Sequence, residues 1–387
     1  MFLIDYPFVS DFLINTIRDS KYKIVSTKEA KELILDESLN WISENKAIDI
    51  IKKDPNTAVY TNSENSIAWI IKNLETSKLP DQIQLFKDKF KFRELIKDSF
   101  PDFFYETIEL NDIQELNEDG MDFPFVIKPS IGFFSLGVHI IHNLTEWNAA
   151  KNELNYKNLQ TIYPKEVIDT SKFIIEEYIE GEEYAIDCYF NTEGEPVILN
   201  ILHHKFSSGT DVSDRIYSTS EKIIRKHKQA IEEFLIPIGK KAGLKNFPVH
   251  VEIRIDANGI IRPIEVNPLR FGGWCTTGDL SWYAFGFNSY DYYMNDKKPN
   301  WEQIFKSRNN KIYSIVVLNN NSGLTALEIT HFDYDSLAQD FDNVLVMRKL
   351  DIKKHPVFGF IFTENSLDNE EELGKILSSN LRKYIST

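Results

Sequence analysis

Residues 248–273 read PVHVEIRIDANGIIRPIEVNPLRFGG, two alternating apolar runs joined through Asn258-Gly259. Alternation with a period of two marks a half-buried strand, and an Asn-Gly pair between two such runs predicts a hairpin closed by a type I′ turn. Strand residues two apart face one side, so Glu265 and Asn267 project together. Positions 252 and 265 lie almost equally far from the turn, so pairing across it brings Glu252 opposite them. Two carboxylates and an amide oxygen gathered in this way suit Mg²⁺, a hard cation that shares its remaining positions with water and phosphate oxygens. Arg270 follows in the next turn, and a planar guanidinium beside a metal is a clamp for phosphate or carboxylate. The competing expectation is that both glutamates lie on the solvated face of an antiparallel sheet.

Upstream, the apolar run Phe123 to Lys128 ends in a lysine and continues into the loop SIGFFSLG at 130–137. A lysine at a strand end, followed by exposed backbone N–H groups, can hold phosphate oxygens. The loop lacks the GxxxxGK[ST] pattern, and no GxGxxG follows the first strand, where Asp5-Tyr6-Pro7 stands. Residues 174–187, IIEEYIEGEEYAID, carry an apolar run through alternating carboxylates and Gly181 into YAIDCYFN and VILNILHH, a predicted antiparallel meander. This segment can present Glu176 and backbone groups to a purine edge and Glu183 to ribose hydroxyls. Residues 86–98, FKDKFKFRELIKD, predict a basic amphipathic helix, and Glu221 to Ala242 predicts a longer one.

The 387 residues suffice for two or three folding units. The first hundred alternate strand-like and helical runs, the rhythm of a small parallel sheet with covering helices. Residues 299–387 predict a small α/β appendage. Apolar residues make up 42% and charged residues 27%, a globular mixture, and the net charge of −15 opposes a nucleic-acid partner. Cys188 and Cys275 have no ligand-spaced His or Cys beside them and are expected to be buried free thiols of a reducing compartment. With no basic leader and no long apolar run, the expected location is the cytoplasm, away from any membrane.

Taken together, the segments around Lys128, Glu176–Glu183 and Glu252–Asn267 resemble the ATP-grasp superfamily of carboxylate-amine ligases, of the D-alanine–D-alanine ligase and biotin carboxylase type. The resemblance covers about 87–273 and rests on the strand-end lysine, the hinge, and an acid thirteen residues before an E-x-N. It implies an α/β, or α+β, ATP-grasp fold: a preATP-grasp domain over 1–100, a lid subdomain over 101–178, a central subdomain with the metal site over 179–298, and the appendage over 299–387. By the same resemblance, ATP is held by Lys89, Lys128, the hinge Glu176, Glu177, Tyr178 and Ile179, and Glu183. Mg²⁺, or Mn²⁺ in its place, is held by Glu252, Glu265 and Asn267. Arg270 and Lys128 act on the transferring phosphate.

The implied reaction joins a small carboxylate, an amino acid or short peptide, to an amine through an acyl-phosphate, with release of ADP. A homodimer is compatible with this reading. The alternatives are a kinase-like phosphoryl transferase and a silent nucleotide-binding module. The loop GGWCTTGDLSWY after Arg270 and the stretch 203–220, with His203, His204, Asp214 and Arg215, are the candidate substrate walls.

Overall fold

The computed structural model describes residues 1–116, 122–132, 137–154, 169–206, 214–308, 310–367 and 371–387. At the N-terminus, β1 (Phe2–Leu3), β2 (Lys23–Val25), β3 (Asn40–Ile42) and β4 (Tyr60–Thr61) form a parallel sheet in the order β3-β2-β1-β4. Its helices are started by side chains: Ser10, Thr27 and Ser43 each accept a backbone N–H three residues on, which satisfies donors that a helix end leaves open.

A second sheet, antiparallel in the order β5-β8-β6-β7, is built from β5 (Tyr105–Glu109), β6 (Phe125–Ile131), β7 (His139–Ile141) and β8 (Asp169–Glu177). Phe125, Ile127, Phe173 and Ile175 pack its inner face on Trp147 and Ala150 of the helix Leu144–Glu153. Burying each large apolar side chain contributes roughly 1.5–3 kcal/mol. The strand carrying Glu176 and Glu177 therefore pairs with Lys128's strand rather than opening the meander predicted from sequence. Pro129 lies within β6 rather than ending it.

The third sheet holds eight antiparallel strands: β9 (Glu182–Phe190), β10 (Pro196–Lys205), β11 (Ile216–Ser220), β12 (Phe247–Ile255), β13 (Ile261–Pro268), β14 (Lys311–Asn319), β16 (Val344–Lys349) and β17 (Val357–Ser366). Their order is β13-β12-β9-β10-β11-β14-β17-β16, while β15 (His331–Phe332) and β18 (Ile385–Ser386) pair apart. The last three strands of that order come from 299–387. They continue the sheet through β11 while keeping an apolar cluster of their own around Phe332, Phe358 and Ile361. The long helix Glu221–Ala242 covers the sheet, opened by Ser220 and closed by left-handed Gly243.

Two local expectations change. The predicted helix over 86–98 is two helices, Leu79–Lys87 and Lys89–Ile96, because Asp88 turns out of the first and accepts the Phe90 and Lys91 N–H groups of the second. The hairpin turn is also not type I′, since only Gly259 adopts positive φ, +81°, and Asn258 does not. Gly259 N–H donates to Asp256 O, and Asp256 N–H donates to Ile260 O. This three-residue loop uses glycine for its left-handed position, and the Asp256 carboxylate accepts the Asn258 and Ile260 N–H groups.

Candidate active site

The small antiparallel sheet and the β9–β12–β13 region of the large one face each other across a cleft open to solvent. Lys89, Lys128, Glu176, Glu177, Tyr178, Ile179, Glu183, Glu252 and Glu265 all line it. Gly181 makes the passage between the sheets: at φ +123°, a Cβ there would lie 2.4 Å from the Ile255 carbonyl oxygen.

On the large-sheet wall, Glu252 stands directly opposite Glu265, and His250 opposite Asn267. The register that achieves this is not uniform. Near the turn, Ile253 faces Pro263, and the ladder then skips Ile264 before Glu252 meets Glu265. That one-residue bulge places the two carboxylates side by side. Burial and the neighbouring Glu265 push the Glu252 carboxyl well above the usual carboxylate range, with Glu183 and Asp214 adding to the effect. For Glu265, burial raises the carboxyl, but Lys89 and Lys128, with the Asn267 amide and Lys87, outweigh it and leave it below the usual range.

Asn267 Nδ2 donates to Glu265 Oε1 at 3.1 Å, and Lys89 Nζ lies 3.7 Å from Glu265 Oε2. Two adjoining, partly buried carboxylates that disfavour each other's charge fit a divalent cation. Among the described residues no set of three His, Cys, Asp or Glu is poised to hold a metal alone. Oxygens from Asn267 and from a ligand would have to complete the shell.

On the opposite wall one carboxylate holds two cations. Glu176 accepts from Arg93 Nε at 2.9 Å and pairs with Lys128, and all three side chains are buried. Burial would raise the Glu176 carboxyl, but Arg93 and Lys128 overcome it and hold it at about 2. Its carboxylate is therefore committed to placing Lys128 and is not open to a purine edge. Arg93 also donates to Pro263 O at 2.7 Å, tying this wall to β13. Sequence reasoning passed over Arg93, although it sits four residues after Lys89 on the buried face of one helix. Lys89 donates to Gly132 O at 3.3 Å, and Ser130 Oγ donates to Asp88 Oδ1 at 2.8 Å, pinning the same helix to β6.

At the hinge, Arg254 donates to Ile179 O at 2.7 Å and grips Glu183 Oε2 with Nε and Nη2, each at 3.0 Å. His204 Nδ1 lies 2.8 Å from Glu183 Oε1. Of the Ile179 backbone, a candidate ligand group by sequence, the carbonyl is thus engaged within the fold. Arg254 went unrecognised, and its signal is an arginine facing the Glu252 side of its strand, two residues along.

Arg270 does not line the cleft among the described residues. Its guanidinium donates to Glu64 Oε1 at 3.0 Å and to Phe271 O at 2.9 Å, and Glu64 also pairs with Lys87. Burial, opposed by Glu265 and aided by Lys89 and Arg270, brings the Lys87 ammonium down to about 7. Neither Glu64 nor Lys87 was foreseen, because their meeting with Arg270 joins distant parts of the chain. His203 is bonded to Glu182 at 2.6 Å, and Arg215 donates to Ser379 O, outside the cleft. Positions 133–136 of the loop SIGFFSLG, and positions 207–213 of the substrate stretch, lie outside the described residues. Cys188 and Cys275 are buried free thiols. Among the described residues no helix is long and apolar enough to cross a membrane.

Residues 121–278 match the ATP-grasp domain. A D-alanine–D-alanine ligase A of Bacillus cereus is 32% identical over 175 residues, 42% of this chain and 51% of that enzyme. An alanine–anticapsin ligase of Bacillus subtilis is 25% identical over 238 residues, 56% of this chain and 49% of that one. The chain spans about half the length of these curated relatives. In fold, an L-amino acid ligase of Bacillus licheniformis aligns with all of this chain and 97% of its own at a TM-score of 0.71 and 15% identity. An N5-carboxyaminoimidazole ribonucleotide synthetase in its ADP complex aligns over 98% and 95% at 0.63 and 13% identity.

Proposed function

We propose that this chain, which carries an ATP-grasp domain on an ATP-grasp fold, joins a small carboxylate to an amine through an acyl-phosphate and releases ADP and phosphate. The observation that carries the reading is the cleft itself, where Lys89 and Lys128 meet the paired carboxylates Glu252 and Glu265. Glu252, Glu265 and Asn267 would hold Mg²⁺, or Mn²⁺ in its place. When bound, the cation neutralises charge on the transferring phosphoryl group. Lys128, held by Glu176, which Arg93 in turn anchors, and Lys89 supply fixed positive charge to the phosphates of ATP, which costs no reorganisation during reaction. Tyr178, Ile179 and Glu183 frame the nucleoside end. Arg270 steadies the acyl-phosphate once a ligand draws it from Glu64.

The relatives named as ligases of alanine support an amino acid as the carboxylate. The buried unpaired thiols support a cytoplasmic address. The test is a phosphate-release screen of amino acids and small acids, singly and in pairs, with mass spectrometry of the products. ADP with a condensed product is expected. A phosphorylated product without condensation under any amine means a kinase, and AMP with pyrophosphate rejects the acyl-phosphate route.

A further inference from the structure

The turn that carries Arg270 has a backbone that side-chain-bearing residues avoid. Leu269, Trp274 and Cys275 hold φ of +61°, +57° and +56°, and two consecutive non-glycine residues in the left-handed region persist only where their surroundings over-determine them. We infer that Arg348, on the last strand of the large sheet, is a positioning residue that holds this turn as the seat of the acid to be activated; the inference rests on the ligase reading above.

A chain of contacts joins the turn to the carboxylate pair. Glu252 Oε1 lies 3.8 Å from His250 Nε2, and His250 Nδ1 lies 2.7 Å from Asp187 Oδ1. That same Asp187 oxygen accepts the Gly272 N–H at 3.0 Å. Arg270, two residues earlier, is near enough to Glu265 and Glu252 for both to oppose the effect of its burial. An acid with its carboxylate between the metal pair and Arg270 has residues 270–276 beside it.

Arg348 grips the turn from the other side. Its Nη1 donates at 2.7 Å to Trp274 O, the carbonyl of the peptide between the two left-handed residues, and its Nη2 donates at 2.6 Å to Asp279 Oδ2. Asp279 is fully buried in the first turn of the helix Thr276–Phe285 and also accepts from Tyr290 Oη. One guanidinium thus ties the strained peptide to the helix that follows it. The guanidinium carbon lies 5.2 Å from the ring centres of Phe8 and Phe362 and 5.9 Å from that of Phe360. From the N-terminal sheet, Thr61 N–H donates to Leu269 O, and Tyr60 Oη accepts the Phe271 N–H. Three distant parts of the chain therefore fix the turn, and the fork of Arg348 is placed at the strained peptide itself.

Arg348 acts through the turn and not on the ligand. Holding the turn in one conformation before the acid arrives removes an ordering cost from binding. Without the fork, Trp274 and Cys275 relax toward ordinary φ, and the acid meets a seat that it must order itself.

The test uses Arg348→Lys, which keeps a cation beside Asp279 although one ammonium cannot make both contacts of the fork. In parallel, Arg348→Met combined with Asp279→Asn removes both charges, so neither is left buried alone. Hydroxylamine serves as the acceptor, with each common L-amino acid and D-alanine as the acid. For the acid that the wild type uses best, kcat/KM should fall on the order of 10²-fold in both variants, through a raised KM. Affinity for Mg-ATP, measured by calorimetry, should stay within about twofold of wild type, and the stoichiometry of that titration counts the folded protein. A loss of rate with an unchanged KM for the acid, or parallel losses of acid and Mg-ATP affinity, means that Arg348 serves the fold as a whole, and the inference is wrong. Variants that bind no Mg-ATP, or that work as well as the wild type, overturn it equally. A wild-type protein that forms hydroxamate with none of these acids overturns the ligase reading itself.

Discussion

The two walls of the cleft treat charge in opposite ways. On the small-sheet wall, Lys128 and Arg93 share Glu176, so both buried cations are paired to one carboxylate within the fold. On the large-sheet wall, Glu252 and Glu265 face each other, and burial with the neighbouring Glu265 pushes the Glu252 carboxyl well above the usual range. A closed ion set is architecture: removing one member strands the others. An open carboxylate pair is a site, held ready at some cost to the empty protein. Stability and activity should therefore respond to substitution in opposite senses on the two walls.

The largest effect is expected at Glu252→Gln, where a neutral isostere replaces the carboxylate that burial and Glu265 disfavour. Loss of a cation ligand should lower ADP release on the order of 10³-fold, while urea unfolding of the ligand-free protein moves by under about 0.5 kcal/mol or toward greater stability. A large loss of stability would erase the distinction between the walls.

Glu176→Gln should do the reverse and destabilise the ligand-free protein by about 3 kcal/mol or more, because Lys128 and Arg93 are left buried without their counter-ion. The Glu176 carboxyl is held at about 2, below its unfolded value of 4.5, so its contribution is present above pH 4.5 and is lost as the pH falls toward 2. Urea midpoints of the wild type and this variant should converge across that window.

Lys128→Ala sits between the two behaviours, losing turnover on the order of 10²-fold, with Mg-ATP affinity measured by calorimetry falling as well. The smallest effect is expected at Asp88→Ala, which removes a helix cap and the Ser130 contact for about 1 kcal/mol. Amide exchange in β6 would show whether that contact steadies the small sheet.

What was legible in the sequence was local. The hairpin placed Glu252 against Glu265 because two strands joined by a short turn have one natural register, and the skipped Ile264 only brings that register into line. The helix Glu221–Ala242 was legible too, from its apolar spacing alone, and the structure adds Ser220 and Gly243 as its caps. What sequence could not show was which distant charges meet. Arg93 with Glu176, Arg254 with Glu183, and Glu64 with Arg270 each join separate elements, and no periodicity encodes such meetings. The break at Asp88 was missed because the apolar spacing runs on through it, and capping chemistry prevailed over pattern. The pairing of 299–387 onto β11 was likewise invisible, since β11 and β14 are separated by the long helix, the hairpin and the segment after Arg270.

That last pairing bears on how the protein can be handled. Because β14 is hydrogen-bonded along β11 from Ile216 to Ser220, cutting the chain after residue 298 would leave β11 as a naked edge. Unpaired N–H and C=O groups beside apolar Ile216 invite another chain to add on. A shortened product should then collect as oligomers and inclusion bodies although every residue of the cleft is still encoded, so solubility of the cleft-bearing part depends on strands that never touch the ligand.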